Sequence, residues 1–179
     1  MRTHLWVWIP ALAVISFAVC SHSALKRDET AAAVPAGELG SALPEFSVKD
    51  FHGRRISSDS FRGKVVIVDF WATWCAPCKR EMPGYQHLLD RYGSRGLAVV
   101  GFKATMMMDT EDPVRFAQKA GVHYPLAIAS PEIVRKFGGL QGLPTTFLYD
   151  RKGTLRQKII GFEYTHVVES DIGPLLGPK

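Results

Sequence analysis

Residues 68–79 read VDFWATWCAPCK and join the end of an apolar run to two cysteines three positions apart. The run itself, Val65–Phe70, is continuous and rich in β-branched residues, which is typical of a strand buried on both faces of a sheet. From Pro77 to Tyr92 apolar residues recur at helical spacing until Gly93 ends the pattern. The stretch therefore predicts a strand followed by a helix, with the cysteines at their junction.

The position of the two cysteines favours redox chemistry. Cysteines three apart on the first turn of a helix can close a disulfide, and the unpaired N–H groups and the dipole of the helix N-terminus favour a thiolate there. Pro77 suits the same turn because its missing N–H would have no helical partner. We expect Cys75 to attack a substrate disulfide and the more enclosed Cys78 to resolve the mixed disulfide by intramolecular displacement.

Two other interpretations of the pair are half a zinc site and an inert structural disulfide. Zinc requires two further thiolate or imidazole ligands, whereas the third cysteine, Cys20, lies near the N-terminus and the histidines are scattered singly. A structural bridge between residues three apart closes a loop too small to add much stability by the loop-entropy account. Both are weaker predictions than a redox-active pair.

Two acidic residues lie close in sequence to the cysteines. Asp69 ends a strand whose neighbours are all apolar, where a carboxylate is unfavourable unless it is protonated or hydrogen-bonded. Burial should raise its pKa, which suits a group that exchanges a proton with Cys78. Glu81 follows Cys78 by three residues and should lie on the same helix face. The alternatives are a strand-end capping role for Asp69 and a solvent-exposed charge for Glu81.

Elements on both sides of this stretch predict the fold class. A strand, helix, strand order implies parallel pairing with a right-handed crossover. The class is therefore α/β, a central mixed β-sheet with helices on both faces. The sequence predicts a hairpin at Phe46–Phe51 and Arg54–Ser57, strands at Leu97–Phe102, Pro125–Ala129, Thr145–Tyr149 and Thr154–Ile160, and helices at Asp112–Ala120, Pro131–Phe137 and His166–Leu176.

The N-terminal residues differ from the rest of the chain. Arg2 precedes an apolar run from Leu5 to Cys20, so residues 1–23 are predicted to be a signal peptide or an N-terminal membrane anchor. Cys20 is a candidate for lipidation, although Val19 stands where lipoprotein signals have a small residue. Residues 24–42 lack periodicity and are predicted to be a flexible linker, which leaves 43–179 as the folded domain.

Composition and charge exclude several classes of protein. A hydrophobic share of 46% with 22% charged residues indicates a globular chain rather than a disordered one. The formal net charge is +5, but the basic residues are dispersed along residues 43–179 as pairs at Arg54-Arg55, Lys79-Arg80, Arg135-Lys136 and Arg151-Lys152. This dispersion predicts a solvated surface and no nucleic-acid partner.

Residues 68–79 resemble the active-site segment of thioredoxins. The continuation at residues 80–83, REMP, resembles the exported, membrane-tethered TlpA/ResA/CcmG-type branch of that family. A second family signature, GLPTTFL, stands at residues 142–148. The similarity covers about residues 43–176, and two motifs in the right order make it far more specific than the two cysteines alone.

The resemblance implies a fold and a set of site residues. The fold is a thioredoxin fold with an N-terminal β-hairpin and an extra strand-helix insertion. The Leu143–Pro144 peptide bond is expected to be cis, with Pro144 facing the cysteines and the backbone of Leu143 left free to pair with an extended substrate segment. Catalysis is expected from Cys75, Cys78, Asp69 and Glu81, and substrate contacts from Trp74, Ala76, Pro77, Leu143, Pro144 and Thr145.

The resemblance also implies an activity and partners. We expect an exported thiol:disulfide oxidoreductase that reduces protein disulfides without a bound cofactor or metal and receives electrons from a membrane donor of the DsbD/CcdA type. Apocytochrome c haem-site cysteines are one candidate substrate. Membrane contact is expected only through the N-terminal segment, which places the domain on the periplasmic or extracytoplasmic side.

Other functions remain open at this stage. An oxidase or isomerase of the same fold would differ only in reduction potential, which the dipeptide Ala76-Pro77 does not fix. A non-catalytic binding domain, such as a copper chaperone that uses Met106–Met108, is a second alternative. A peroxiredoxin is disfavoured, because that class has Thr three residues before its reactive cysteine where this chain has Ala72.

Overall fold

The computed structural model describes residues 34–105, 109 and 111–178. The predicted signal or anchor at residues 1–23 with Cys20, the linker as far as residue 33, and Met106–Met108 lie outside the described residues. None of the helices described combines the length and hydropathy that a membrane crossing requires.

The described residues form seven strands and four α-helices. In chain order they are β1 (Ser47–Lys49), β2 (Arg55–Ser57), β3 (Val65–Trp71), α1 (Ala76–Tyr92), β4 (Leu97–Ala104), α2 (Pro113–Lys119), β5 (Leu126–Ala129), α3 (Pro131–Lys136), β6 (Thr145–Tyr149), β7 (Leu155–Ile160) and α4 (Thr165–Leu176). Short 3₁₀ turns at Ser58–Phe61 and Gly93–Arg95 complete the connections.

The central sheet has five strands in the order β5-β4-β3-β6-β7. Strand β3 lies in the middle, parallel to β4 and antiparallel to β6, while β5 extends the parallel side and β7 the antiparallel side. The strands β1 and β2 form a separate antiparallel hairpin. This mixed sheet with its helices confirms the predicted α/β class and the thioredoxin-like fold.

Both faces of the sheet are covered, which explains why the sequence of β3 is apolar without alternation. Ile67 and Trp71 belong to the core cluster that includes residues of α1, α2 and α4. Val68 and Phe70 point into the opposite cluster, which includes Phe137 and residues of the N-terminal hairpin. The cysteines belong to the α1 side of the sheet.

The segment between β4 and α3 contributes α2 and the edge strand β5, the additional helix and strand that the resemblance implied. The N-terminal hairpin closes against this edge: the N–H of Phe51 donates to the carbonyl of Leu126 at 2.9 Å, and Asp50 bridges to Ala127. The hairpin and the insertion therefore support each other at one side of the sheet.

Some boundaries differ from the predicted ones. Asp69 lies inside β3 rather than at its end, because the strand continues to Trp71 in register with Lys103. At the N-terminal side, the N–H of Gly40 donates to the carbonyl of Leu155 at 2.9 Å, and the N–H of Leu155 donates to the carbonyl of Ser41 at 2.8 Å. Packing against the domain thus begins before residue 43.

Candidate functional site

The two cysteines form a disulfide at the start of α1. Cys75 is the N-cap residue, Cys78 lies in the first turn, and their Cα atoms are 5.3 Å apart. The backbone N–H of Cys78 donates to Sγ of Cys75 at 3.3 Å. Cys78 is fully buried, whereas Cys75 keeps 3% of its surface exposed. A thiolate on Cys75 would accept the helix N–H bond and face the positive end of the dipole, so the geometry favours Cys75 as the nucleophile.

A short turn links β3 to the cysteines. The N–H of Cys75 donates to the carbonyl of Ala72 at 3.2 Å, and the buried Thr73 hydroxyl donates to Oδ1 of Asp109 at 2.7 Å. Trp74 stands out of this turn with 37% of its surface exposed. The turn therefore places Trp74 on the surface and Cys75 just beneath it.

Asp69 and Glu81 are both buried on the α1 side of the sheet. Asp69 has no exposed surface, and neither of its carboxyl oxygens has a hydrogen-bond partner among the described residues, so burial raises its pKa to about 8. Glu81 is 2% exposed; burial and then the charge of Asp69 raise its pKa to about 9, partly offset by a hydrogen bond with the backbone of Glu163. Near pH 7 both carboxyls are mainly protonated. Burial excludes the solvent-exposed alternative for Glu81.

Two tyrosines surround these acids. The Tyr85 hydroxyl forms a 2.9 Å hydrogen bond with the Thr146 hydroxyl. Tyr124 is buried with its hydroxyl unpartnered among the described residues. Burial raises the pKa of both phenols, and the carboxyls of Asp69 and Glu81 raise it further, so neither phenol ionises near neutral pH. The protons available beneath the cysteines are therefore those of the two carboxyls.

The second motif supplies a loop before β6. The Leu143–Pro144 bond is cis, as the resemblance implied. Leu143 is half-buried and packs against the core cluster that contains both cysteines. Within the described part of the chain its N–H and carbonyl form no backbone hydrogen bond, while the neighbouring Pro144 carbonyl accepts from the N–H of Gly161 at 2.8 Å. The Leu143 backbone is thus available to pair with an extended segment.

Thr145 was predicted to contact substrate, and its placement does not support that role. Its side chain is fully buried, and its hydroxyl donates to the carbonyl of Gly142 at 2.7 Å. The residue pairs with Phe70 inside the sheet. We therefore reassign Thr145 from substrate contact to support of the loop.

Exposed and half-buried apolar side chains lie at the first turn of α1 and beside the second motif. Ala76 is exposed and Pro77 is half-buried in the first turn of α1. Ile160, 49% exposed, lies beside the second motif, since a Cβ on Gly142 would stand 3.7 Å from its side chain. The guanidinium of Arg80 lies 4.6 Å over the ring of Phe162. This surface is suited to an extended, partly apolar protein segment.

The structure adds a polar group that the sequence analysis missed. Lys103 on β4 is 4% exposed, and its ammonium group lies 2.5 Å from Oδ2 of Asp109, the same carboxylate that accepts from Thr73. The sequence contained an indication of this residue, because Lys103 is a charged residue within an apolar strand, as Asp69 is. Its partner could not be foreseen, since Asp109 lies in the loop that follows the strand.

Metal binding finds no support in the geometry. Over residues 34–105, 109 and 111–178, no three His, Cys, Asp or Glu side chains come together in a way that could hold an ion. The copper alternative rests on Met106–Met108, which are not among these residues.

Comparisons with known proteins place this site in a family. The family model described as the AhpC/TSA family matches residues 39–158. A thiol-disulfide oxidoreductase ResA from Bacillus thuringiensis subsp. konkukian is 36% identical over 126 residues, 69% of this chain and 70% of the relative. A ResA from Geobacillus kaustophilus is 32% identical over 161 residues, 90% of this chain and 86% of the relative.

A solved structure shows the same relationship in three dimensions. The crystal structure of a thiol:disulfide interchange protein of the thioredoxin family from Chlorobium tepidum superposes with a TM-score of 0.70 at 31% identity, covering 79% of this chain and all of that one. The family model covers more than half of the chain, and the two ResA relatives match more than two thirds of it at over 30% identity. The chain therefore belongs to the AhpC/TSA family of thioredoxin-like proteins and is a thiol-disulfide oxidoreductase related to ResA.

Proposed function

We propose that this oxidoreductase works as an exported reductase of protein disulfides. The observation that carries the proposal is the arrangement at the start of α1: a disulfide whose more accessible sulfur is Cys75, with two buried protonated carboxyls on the same side of the sheet. The disulfide can accept two electrons, and a protonated carboxyl can supply a proton to the cysteine thiolate that leaves, as regeneration of a dithiol reductant requires.

Reduction of the Cys75–Cys78 disulfide by the electron donor begins with attack on Cys75. A thiolate of the electron donor forms a bond to Sγ of Cys75, the Cys75–Cys78 bond breaks, and Cys78 leaves as a thiolate. Asp69 or Glu81 then gives its proton to Cys78 as general acid. The second donor thiol loses its proton to solvent, its thiolate attacks the donor sulfur of the mixed disulfide, and Cys75 leaves as a thiolate while the donor is left as a disulfide.

Substrate reduction runs the same steps in reverse order. The Cys75 thiolate attacks a substrate disulfide, and one substrate sulfur leaves and takes up a proton. The carboxylate left by the first half-reaction removes the proton from Cys78, which attacks Sγ of Cys75 and releases the second substrate sulfur. The free backbone of Leu143 and the exposed Trp74 orient the substrate segment during these steps.

The finer assignments rest on the sequence and on the relatives. The pattern of residues 1–23 supports export, with the domain anchored or lipidated at the membrane face. A membrane thiol donor of the DsbD/CcdA type is the proposed source of electrons. Reduction of apocytochrome c haem-site cysteines is the proposed role in cytochrome c maturation.

The reduction potential of the Cys75–Cys78 pair tests the direction of electron flow. Equilibration of the full chain with glutathione or dithiothreitol buffers should give a value closer to the about −270 mV of thioredoxin than to the about −120 mV of a strong oxidant. A value near the oxidising end would contradict the reductase and favour an oxidase.

Cysteine substitutions test the assigned roles. Cys78→Ser should accumulate mixed disulfides with substrate proteins through Cys75, because the resolving thiol is absent. Cys75→Ser should trap none, because Cys78 is fully buried. Non-reducing gels and mass spectrometry of the trapped species provide the measurement. Trapping that required Cys78 instead would reverse the two assignments.

Export is tested separately from chemistry. An enzyme reporter that requires an oxidising compartment, fused after Lys179, should be active in cells that produce the full chain. A second fusion that lacks residues 1–23 should be inactive, which provides the matched control. Activity of a reporter that works only in the cytoplasm would refute the proposed location while leaving the dithiol chemistry untouched.

A further inference from the structure

Lys103 is a charged residue in the interior of the sheet. It lies on β4, in register with Trp71 on β3, and only 4% of its surface is exposed. An ammonium group so enclosed must be paired or must lose its proton, since isolated charges are strongly disfavoured in a low-dielectric interior. The charged form of Lys103 therefore depends on a partner of opposite charge.

The partner of Lys103 connects it to the active-site turn. Asp109 accepts from the Lys103 ammonium group at 2.5 Å through one oxygen and from the Thr73 hydroxyl at 2.7 Å through the other. Thr73 is itself buried and stands two residues before Cys75. The carboxylate of Asp109 thus reaches the segment that leads directly to the nucleophile.

A second contact holds the same loop near the other side of the cysteine pair. Glu111 lies 3.9 Å from the ammonium group of Lys79, the residue that follows Cys78. The ammonium group of Lys79 also lies 5.5 Å over the ring of Phe116, which stacks on Trp71. Charges from β4 and from the segment before α2 therefore converge around the start of α1.

We propose that Lys103 and Asp109 are positioning residues for Cys75: Asp109 holds the turn through Thr73, and Lys103 offsets the negative charge that this carboxylate brings to the turn leading to the nucleophile. Without Lys103, the carboxylate of Asp109 would oppose a second negative charge on Cys75. If the charges of Lys103 and Asp109 were both removed, the electrostatic potential at Cys75 would be nearly the same as in the wild-type protein, where the two charges offset each other. The pair thereby sets how readily the nucleophile ionises.

The other charged groups of this region are left unchanged in the test. They are Asp69 on β3, Glu81 and Lys79 on α1, Glu111 before α2, and Glu163 before α4. None is altered by a substitution at Lys103 or Asp109. A change in Cys75 ionisation therefore reports the Lys103–Asp109 pair itself.

The experiment measures the alkylation rate of Cys75 across pH in the reduced full-length protein, with mass spectrometry to identify the labelled cysteine. Lys103→Met should raise the apparent pKa of Cys75 by about one pH unit, the size expected for one unit charge at a partly buried site. The double variant Lys103→Met/Asp109→Asn should bring it back to within a few tenths of the wild-type value. If structural damage caused the rise instead, the second substitution would move the apparent pKa of Cys75 further from the wild-type value.

Three further variants keep the test decisive. Lys103→Gln removes the charge while retaining a hydrogen-bond donor, so it should give the same rise if the Met variant fails to fold. Thr73→Val removes the hydrogen bond that holds the turn without changing charge, so it should lower the alkylation rate of the Cys75 thiolate at high pH while shifting the apparent pKa far less than the Lys103 variants do. Lys136→Met breaks the exposed pair with Glu132 on α3 and should change nothing. No rise in the Lys103 variants, or a rise that persists in the double variant, would overturn the proposal.

Discussion

Asp69 and Glu81 show how burial alone changes the chemistry of a side chain. They come from different elements, β3 and α1, and burial is the largest cause of the raised pKa of each. Because each charge also opposes the other, the first proton lost from the pair makes the second harder to lose. We expect the thiols of the reduced protein to titrate together with these carboxyls, so that an apparent thiol pKa belongs to the group.

The substitution Glu81→Gln isolates one member of that group. Gln keeps the shape but cannot become an anion, so the apparent pKa of Cys75 should fall by on the order of one pH unit. Turnover should drop by about tenfold, because one of two proton donors to Cys78 is lost. The pH dependence of Cys75 alkylation and of disulfide reduction measures both effects.

A matched substitution identifies an effect that is specific to the site. Glu132→Gln on α3 alters an exposed carboxylate and should leave both curves unchanged. If the titration curve of Glu81→Gln also matched the wild type, Asp69 would be the only acid that acts on the thiols.

At the level of elements, α1 and the N-terminal end of α4, with the residues just before it, meet without space for a side chain. A Cβ on Gly84 would stand 2.0 Å from Oγ1 of Thr165, the first residue of α4. The residues just before α4 bring the backbone of Glu163 to the Glu81 carboxyl. Gly84 therefore allows the close approach that encloses Glu81.

Gly84→Ala should accordingly destabilise the protein although alanine is the better helix former. Overpacking costs about 1–3 kcal/mol, which exceeds the up to about 1 kcal/mol gained from helix propensity. Urea unfolding of the oxidised protein measures the difference. Gly93→Ala is the control: its backbone is helical at φ −57°, and a Cβ there would meet the nearest side chain at an ordinary 3.5 Å.

A second substitution, at Thr165, tests whether the contact between Gly84 and Thr165 is the cause of the lost stability. In Gly84→Ala/Thr165→Ser the γ-methyl of Thr165 is gone and the hydroxyl can rotate, so part of the lost stability should return. Equal losses in Gly84→Ala and Gly93→Ala would show that the contact between α1 and α4 does not limit this position.

For the whole molecule, the buried carboxyls make stability depend on pH. Between about pH 4 and 9 the folded state keeps protons on Asp69 and Glu81 that the unfolded chain has released, so the free energy of unfolding falls as pH rises. Asp50 and Asp150 act in the opposite sense: burial opposes their ionisation, but hydrogen bonds from Arg54 and Arg156 and from nearby backbone N–H groups outweigh it and lower their pKa. Their contribution is lost only when pH falls below about 4.

We therefore expect maximal stability of the oxidised protein near pH 4 and a loss on the order of several kcal/mol by pH 9. Denaturant unfolding at about pH 5, 7 and 9 measures the slope. Asp69→Asn should reduce the slope of stability against pH, because the amide does not titrate. The control is Asp59→Asn, which replaces an exposed carboxylate paired with Arg62 and should leave the slope unchanged. A wild-type curve without a decline above pH 5 would refute the raised carboxyl pKa values.

Several features of the protein could be read from local sequence. The strand and helix around residues 68–79 were predicted because continuous apolar character, helical spacing and a proline in the first turn are properties of neighbouring residues. The burial of Asp69 followed from the same reasoning, since its strand offers no polar neighbour. The cis bond at Pro144 was implied only by resemblance.

Other features required the tertiary structure, because they join residues far apart in the chain. The pairing of Lys103 with Asp109 and Thr73, the contact of Gly84 with Thr165, and the reassignment of Thr145 to the loop interior depend on distances that no local pattern encodes. The sequence determined which residues carry the thiol chemistry and which elements present them. Packing decided the charges beside those thiols, because burial and long-range contacts, rather than residue type, set the energy of an ionised group.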